Sequence, residues 1–316
     1  MNDSEHEQFV QLVRRIDPKA ALTRVTPLPG GVSASVMALD VVWADGRVDR
    51  LVARQHGAVD RARKPQVARD EYRLLQIAHA AGIPVAEPLL LDETGETVPL
   101  PVIVSAFVDG ATEFAPPDLD AYLEQAAARL VSIHQLPRSD AAFLPDIGFD
   151  NGASPEDLDE VMGEGRIRSA LAAFHPAQWN ESAVLHGDYW PGNLLWRDGR
   201  LVGVLDWEDV CLGDPLVELG NTRLELLWAF GAEAMTRFTE CYCALRPLDL
   251  TLLPYWDLRA ALRSCGTLLT WGLEPETERR MIERHASFVE SAVAAIERRS
   301  CLCLPPHCSR YDLVDP

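Results

Sequence analysis

The sequence predicts an α+β fold in two lobes, a small β-rich one followed by a larger, mainly helical one. Three observations carry this. Strand-like runs crowd residues 25–108, helical periodicity with Leu and Ala dominates 118–298, and the change of character falls near Val104–Gly110. At 316 residues and 47% hydrophobic, the chain can bury cores of this size, and general disorder is excluded. The expected divisions are 1–108, 109–300 and a Cys-rich tail at 301–316.

The first element is a short amphipathic helix over 4–16. Ser4 and Glu7 stand at capping-box spacing, followed by Phe9, Val10, Leu12, Val13 and Ile16 at helical intervals. Two β-rich runs then flank the turn signal Asp45-Gly46, which reads as a hairpin preceded by the glycine-rich bend at Gly30-Gly31. A helix over 66–81 stops at Gly82 and Pro84, and two further strands follow, within 84–92 and 98–110. Beyond Gly110 the spacing predicts helices over 118–134, 155–174 and most of 214–298.

Charge and cysteine usage narrow the function classes. With 48 acidic against 29 basic side chains, the formal charge of −19 repels phosphate backbones and anionic membranes, so neither nucleic acid nor membrane is an expected partner. The same acidity would suit a cationic ligand. A cytoplasmic location is expected, because residues 1–8 have no positive segment or apolar run of a secretory signal. The cysteines form no even framework, and reduced thiols are the expectation. Cys301, Cys303 and Cys308 near His307 match no common zinc spacing, and a loosely docked tail is preferred there.

The strongest chemical signal lies at 184–215. Leu194–Trp196 and Leu201–Leu205 are β-type runs joined by Asp198-Gly199, a two-residue hairpin loop. If 198 pairs with 199, Asn193 lies opposite Val204, and Asp206 is two residues beyond. At about 3.3 Å per strand residue, Asn193 and Asp206 then end roughly 7–9 Å apart at the open end. Asp188 sits on the adjoining loop. Such hard oxygen donors suit Mg2+, which normally shares its coordination shell with phosphate and water.

H-G-D-x4-N at His186–Asn193, followed by Leu205-Asp206-Trp207-Glu208 and by Gly213-Asp214-Pro215, resembles the signature of the aminoglycoside phosphotransferase and choline kinase families. It is also similar in spacing to the catalytic and metal-binding loops of protein kinases. The resemblance implies a protein-kinase-like fold, with Asp188 as catalytic base or hydroxyl-orienting group. Asn193 and Asp206 would be metal ligands, with His186, Gly187 and Asp214 structuring the loops. In the first lobe it implies a nucleotide site at Gly30, Gly31 and Ser33, Arg54, Glu71, Ser105 and Phe107. The only lysines are Lys19 and Lys64, neither on a strand, so Arg54 in Leu51–Gln55 takes the usual lysine position, with Glu71 as its helix partner and Asp70 as the rival.

The implied activity is transfer of the γ-phosphate of ATP or GTP, with Mg2+, to a hydroxyl of an aminoglycoside-, macrolide-, choline- or sugar-like acceptor, by a monomer or homodimer. A nucleotide-binding regulatory protein without turnover and, more weakly, a metal-dependent hydrolase are the alternatives. Glu208, Asp209, Glu218, Glu225, Trp228, Trp256 and Trp271 are candidates to line the acceptor pocket. His134, on an apolar helical stretch, reads as a packed structural residue.

Overall fold

The computed structural model describes residues 3–28, 34–147, 157–174 and 179–302. Helix α1 (Asp3–Ile16) is followed by strands β1 (Ala21–Pro27), β2 (Ala34–Val42) and β3 (Val48–His56), a short helix α2 (Ala58–Arg63) that the sequence reading did not foresee, and α3 (Val67–Ala80). Strands β4 (Pro88–Asp92) and β5 (Val102–Ala106) complete a five-stranded antiparallel sheet in the order β1-β2-β3-β5-β4. The sheet separates two environments by the two-residue period of its strands. Leu39, Leu51, Ala53 and Val104 are buried in a core shared with Leu12 and Val13 of α1. Val52 and Arg54, alternating with them, line a cavity on the other face.

The rest is mainly helical. It comprises α4 (Leu119–His134), α5 (Glu164–Ala173), α6 (Pro215–Phe230), α7 (Ala232–Leu245), α8 (Leu253–Ser264) and α9 (Pro275–Leu302), with two small antiparallel pairs between α5 and α6. These are β6 (Ala183–Leu185) with β9 (Cys211–Gly213), and β7 (Leu194–Arg197) with β8 (Arg200–Val204). The core here is built from fully buried residues such as Leu123, Leu130, Trp207, Phe238 and Trp256, and it continues into Leu74 and Leu75 of α3. Each such side chain contributes about 1.5–3 kcal/mol by leaving water. Helix α3 is therefore packed against both halves, which fixes the acids it carries relative to the β7–β8 hairpin.

The predicted hairpin exists, but its register differs from the calculated one. Arg197 pairs with Arg200 and Trp196 with Leu201, as expected, whereas Leu195 pairs with Gly203 and Leu194 with Val204. Val202 is the extra residue of a bulge. The other edge of β7 is occupied as well: Trp196 exchanges backbone hydrogen bonds with Ala111, and a side chain at the neighbouring Gly110 would collide with Val202. Asn193 consequently bonds to Leu205, not opposite Val204: its carbonyl accepts from the Leu205 N–H at 2.9 Å. Asp206 is then one residue, not two, beyond the partner of Asn193. Among the described residues no helix is long and apolar enough to cross a membrane.

Candidate active site

The segment between β6 and β7 is held by a carboxylate the sequence reading had assigned elsewhere. Glu218, in the first turn of α6, is 1% exposed and accepts from the backbone N–H groups of His186 (2.9 Å) and Gly187 (2.6 Å). His134 of α4 donates to the same carboxylate at 2.8 Å through Nε2, while its Nδ1 accepts from the Tyr242 hydroxyl at 2.6 Å. Burial pushes the His134 imidazole down despite Glu218, so it is neutral, consistent with one nitrogen donating and the other accepting. Burial alone would raise the Glu218 carboxyl, but its hydrogen bonds, from His134 first and then from the His186 backbone N–H, help hold it below its ordinary value.

Gly187 cannot carry a side chain. Its φ is +88° and a Cβ would lie 2.3 Å from the Asp209 carbonyl oxygen. His186, fully buried, donates from Nε2 to the Leu205 carbonyl at 2.9 Å and accepts from the Asp188 N–H at Nδ1. The loop carrying Asp188 is thereby tied to the residue preceding Asp206. Asp214 caps α6 through the Leu216 N–H and also accepts from Asn180.

Asp188 and Asn193 are in direct contact, and Asp206 follows the residue whose N–H bonds to the Asn193 carbonyl. The Asn193 side-chain amide donates to the Asp188 carbonyl (2.9 Å) and to its Oδ2 (3.0 Å), which leaves the amide oxygen directed away from that pair. Asp206 has φ +65°, a left-handed conformation rare outside glycine but tolerated best by Asn and Asp. Its carboxylate is 36% exposed and reaches the sheet lobe, where Arg54 Nη2 donates to Oδ1 at 2.7 Å. The same nitrogen donates to Glu208 at 2.6 Å, and Arg54 Nε lies 3.8 Å from Glu71. Glu71, not Asp70, is thus the partner of Arg54, and Glu208 faces this cation. Burial opposes the charge on Arg54, yet Glu71, Asp206 and Glu208 together hold it firmly protonated. Glu71 also bonds to the buried His56; burial raises its carboxyl, but Arg54 and His56 prevail and keep it ionised.

Two cavities flank this set. One, of about 550 Å³, lies against the sheet and is lined by Val52, Arg54, Glu71, Ser105, Phe107, Asn193 and Asp206. It therefore gathers the sequence-predicted donor-side residues that fall within the described part; Gly30, Gly31 and Ser33 lie outside it. The Phe107 N–H is committed to the Arg50 carbonyl, and the Arg50 guanidinium lies 5.5 Å from the Phe107 ring centroid. The other cavity, of about 600 Å³, lies among the helices and contains Gly187, Asp209, Glu218, Trp256, Arg259 and Arg263.

Arg263 was missed by sequence reasoning. It donates to the Gly187 carbonyl at 2.9 Å and lies 3.5 Å from Asp188 and 3.6 Å from Asp209. Its distance from the motif in sequence leaves no local signal to find it by. Burial raises the Asp188 carboxyl, Arg263 and His186 oppose this, and Asp206 and Asp209 reinforce it, with a net upward shift. Of the other acceptor candidates, Glu225 is half-buried, its carboxyl raised by burial and by the Asp188 charge, while Trp228 is core, donating to the Met281 carbonyl, with Trp271 against it.

No three His, Cys, Asp or Glu residues among the described ones form a metal site by themselves. The donor set is instead one amide oxygen and one half-open carboxylate, which fits a cation that takes its remaining ligands from phosphate and water.

A viomycin phosphotransferase from Streptomyces vinaceus is 43% identical over 112 residues, 31% of this chain and 39% of that protein. Acyl-CoA dehydrogenase family member 11 of Rattus norvegicus is 22% identical over 228 residues, 61% of this chain; the match spans 29% of the rat protein. The solved GDP and kanamycin complex of APH(2")-IIia shares the fold with a TM-score of 0.60 at 16% identity, over 94% of this chain and 99% of that one. The family model described as "Phosphotransferase enzyme family" matches residues 24–250, and the chain belongs to that family.

Proposed function

We propose that this protein is a small-molecule kinase, transferring the γ-phosphoryl group of ATP or GTP to a hydroxyl of a small acceptor. The observation that carries the reading is that Asn193 and Asp206 line the sheet-side cavity, while Asp188, bonded to the Asn193 amide, follows Gly187 of the helix-side cavity. In this reading residues 1–108 hold the nucleotide, and 109–300 supply the catalytic loop and the acceptor site. The GDP in the APH(2")-IIia complex supports a purine nucleotide as donor, and its kanamycin supports a hydroxylated acceptor.

Asp188 orients the acceptor hydroxyl and takes its proton as the new P–O bond forms; the upward shift of its carboxyl makes it a better base than an ordinary aspartate. Arg54 donates to the triphosphate, held on its strand by Glu71. Asn193 and Asp206 would hold Mg2+, which when bound neutralises charge developing on the phosphoryl oxygens. Glu218 keeps the Asp188 loop rigid, so that alignment is built in before substrate arrives.

The test is Mg2+-dependent transfer of labelled γ-phosphate to a panel of aminoglycosides, macrolides, choline, sugars and hydroxy acids. Asp188→Ala should lower turnover about 10²- to 10⁴-fold while nucleotide still stabilises the fold against heat. Turnover insensitive to that change would sink the assignment.

A further inference from the structure

Strand β3 carries a second buried polar residue to which the kinase reading gives no task. His56 is 0% exposed and stands two residues beyond Arg54, on the same face of the sheet by the two-residue period of a strand. Its Nε2 lies 2.5 Å from Glu71 Oε2, and its Nδ1 is buried without a hydrogen-bond partner, so the ring is committed to that carboxylate. Its backbone is held as well: His56 pairs with Ala34 of β2, and Arg61 of α2 donates to its carbonyl at 3.2 Å. The wall of the sheet-side cavity includes Arg54 and Glu71 but not His56.

Arg54 and His56 face the same oxygen of Glu71. His56 is hydrogen-bonded to Oε2, whereas Arg54 Nε stops 3.8 Å short of it and is buried without a hydrogen-bond partner of its own. The Arg54 Nη2 instead reaches across the cleft to Asp206 and Glu208, at 2.7 and 2.6 Å. Glu71 is 4% exposed and kept ionised, so it depends on a protein donor rather than on water. If His56 did not donate, the unpaired donor facing Glu71 would be Arg54 Nε. Closing that gap to a hydrogen bond would draw the guanidinium toward α3 and away from the cleft.

We propose that His56 is a positioning residue for phosphate binding: by donating from Nε2 to Glu71 it keeps that carboxylate from taking Arg54, and so leaves the guanidinium extended toward the triphosphate. Glu71 then steadies Arg54 by charge without binding it. This rests on the kinase reading above, and it adds a residue that acts through Glu71 and Arg54 without touching nucleotide.

The experiment compares two substitutions of like chemistry and different reach in the full chain. The terminal nitrogen of Gln can stand where Nε2 stands, whereas that of Asn reaches only the Nδ1 position. Binding of AMP-PNP or GMP-PNP with Mg2+, whichever stabilises the wild type, is measured by calorimetry, and binding of adenosine or guanosine alongside it. His56→Asn should weaken the triphosphate analogue about 10-fold and leave the nucleoside unchanged, and His56→Gln should recover most of the loss. In an Arg54→Met background His56→Asn should cost nothing further, because its effect passes through Arg54. A merely structural role would weaken nucleoside and triphosphate alike. Equal triphosphate affinity in the Asn and Gln variants, a parallel loss for the nucleoside, or a full effect persisting without Arg54 overturns the inference. A measurement on the wild type holds even where a variant does not fold: imidazole 15N spectra should place the His56 proton on Nε2, and a ring protonated on Nδ1 alone overturns it. Failure of the wild type to bind either triphosphate analogue would take down the kinase reading itself, and this inference with it; nucleotide binding that is indifferent to His56 confines the failure to the inference.

Discussion

The two cavities on either side of Asp188 are built by opposite strategies. The sheet-side cavity takes its charged residues from strand β3, helix α3 and the segment after β8, and Arg54, the one cation of its described lining, faces Glu71 and Asp206 there and Glu208 beside it, all within 3.8 Å. The helix-side cavity draws on α5, α6, α8, β9 and the loops around them, and among its described lining the cations Lys64, Arg168, Arg259 and Arg263 outnumber the acids Asp146, Asp209 and Glu218. The first therefore has spare negative charge for metal and one cation for phosphate, whereas the second offers guanidiniums. A net charge of −19 describes neither. Local composition at a site, set by which faces of which elements meet, decides what binds.

The comparison can be broken outright at Glu218, because it holds the loop that both cavities share. Glu218→Ala leaves two backbone N–H groups and the His134 imidazole without their acceptor in the core. A loss of about 3–5 kcal/mol in urea unfolding is expected, with activity falling on both the nucleotide and the acceptor side. An unchanged midpoint would mean the loop is held by other contacts.

It is sharpened at Arg54, which touches only the sheet-side cavity. Arg54→Met should raise KM for nucleotide about 10- to 100-fold and leave the acceptor KM unaltered, measured by initial rates with each substrate varied. Arg54→Lys should fall between, since one ammonium cannot reproduce the geometry that spans Asp206 and Glu208. Equal rises in both KM values would erase the separation.

The smallest effect is expected at Glu225. Its folded-state value of about 8 lies above the ordinary 4.5, so the folded protein holds this proton more tightly than the unfolded one. That contribution is complete below the ordinary carboxylate range and is lost as pH rises through about 8. Glu225→Gln should flatten the decline of stability between those limits by roughly 2 kcal/mol, after allowance for partial solvent access. Parallel stability profiles for the two proteins would show that Glu225 is ionised throughout.

Legibility from sequence followed the same division. The sheet, the long helices and the Asp188, Asn193 and Asp206 set were readable because each depends on short spacing: alternation, helical period, or a motif within one hairpin. Arg54 and Glu71 were named by the family resemblance, on the strand and helix that carry them, and they lie 3.8 Å apart. The hairpin register differs because β8 carries a bulge at Val202, beside a bridge from Trp196 to Ala111 over 80 residues upstream that no local spacing announces. Glu218 read as a surface acid or pocket residue because its partners, His134 and the 186–187 backbone, are assembled only by the packing of α4 against α6. Arg259 and Arg263 were two among many arginines until α8 set them in one cavity. Tertiary contacts, unlike periods, leave no trace at short range.

The arginine on β3 has a kinetic consequence. Its charge is compensated by carboxylates from both lobes, so on the proposed reading a triphosphate would exchange partners with Asp206 and Glu208 instead of meeting a bare cation. Loading would then be slowed a little and release helped, because the carboxylates that gave up the guanidinium compete to reclaim it.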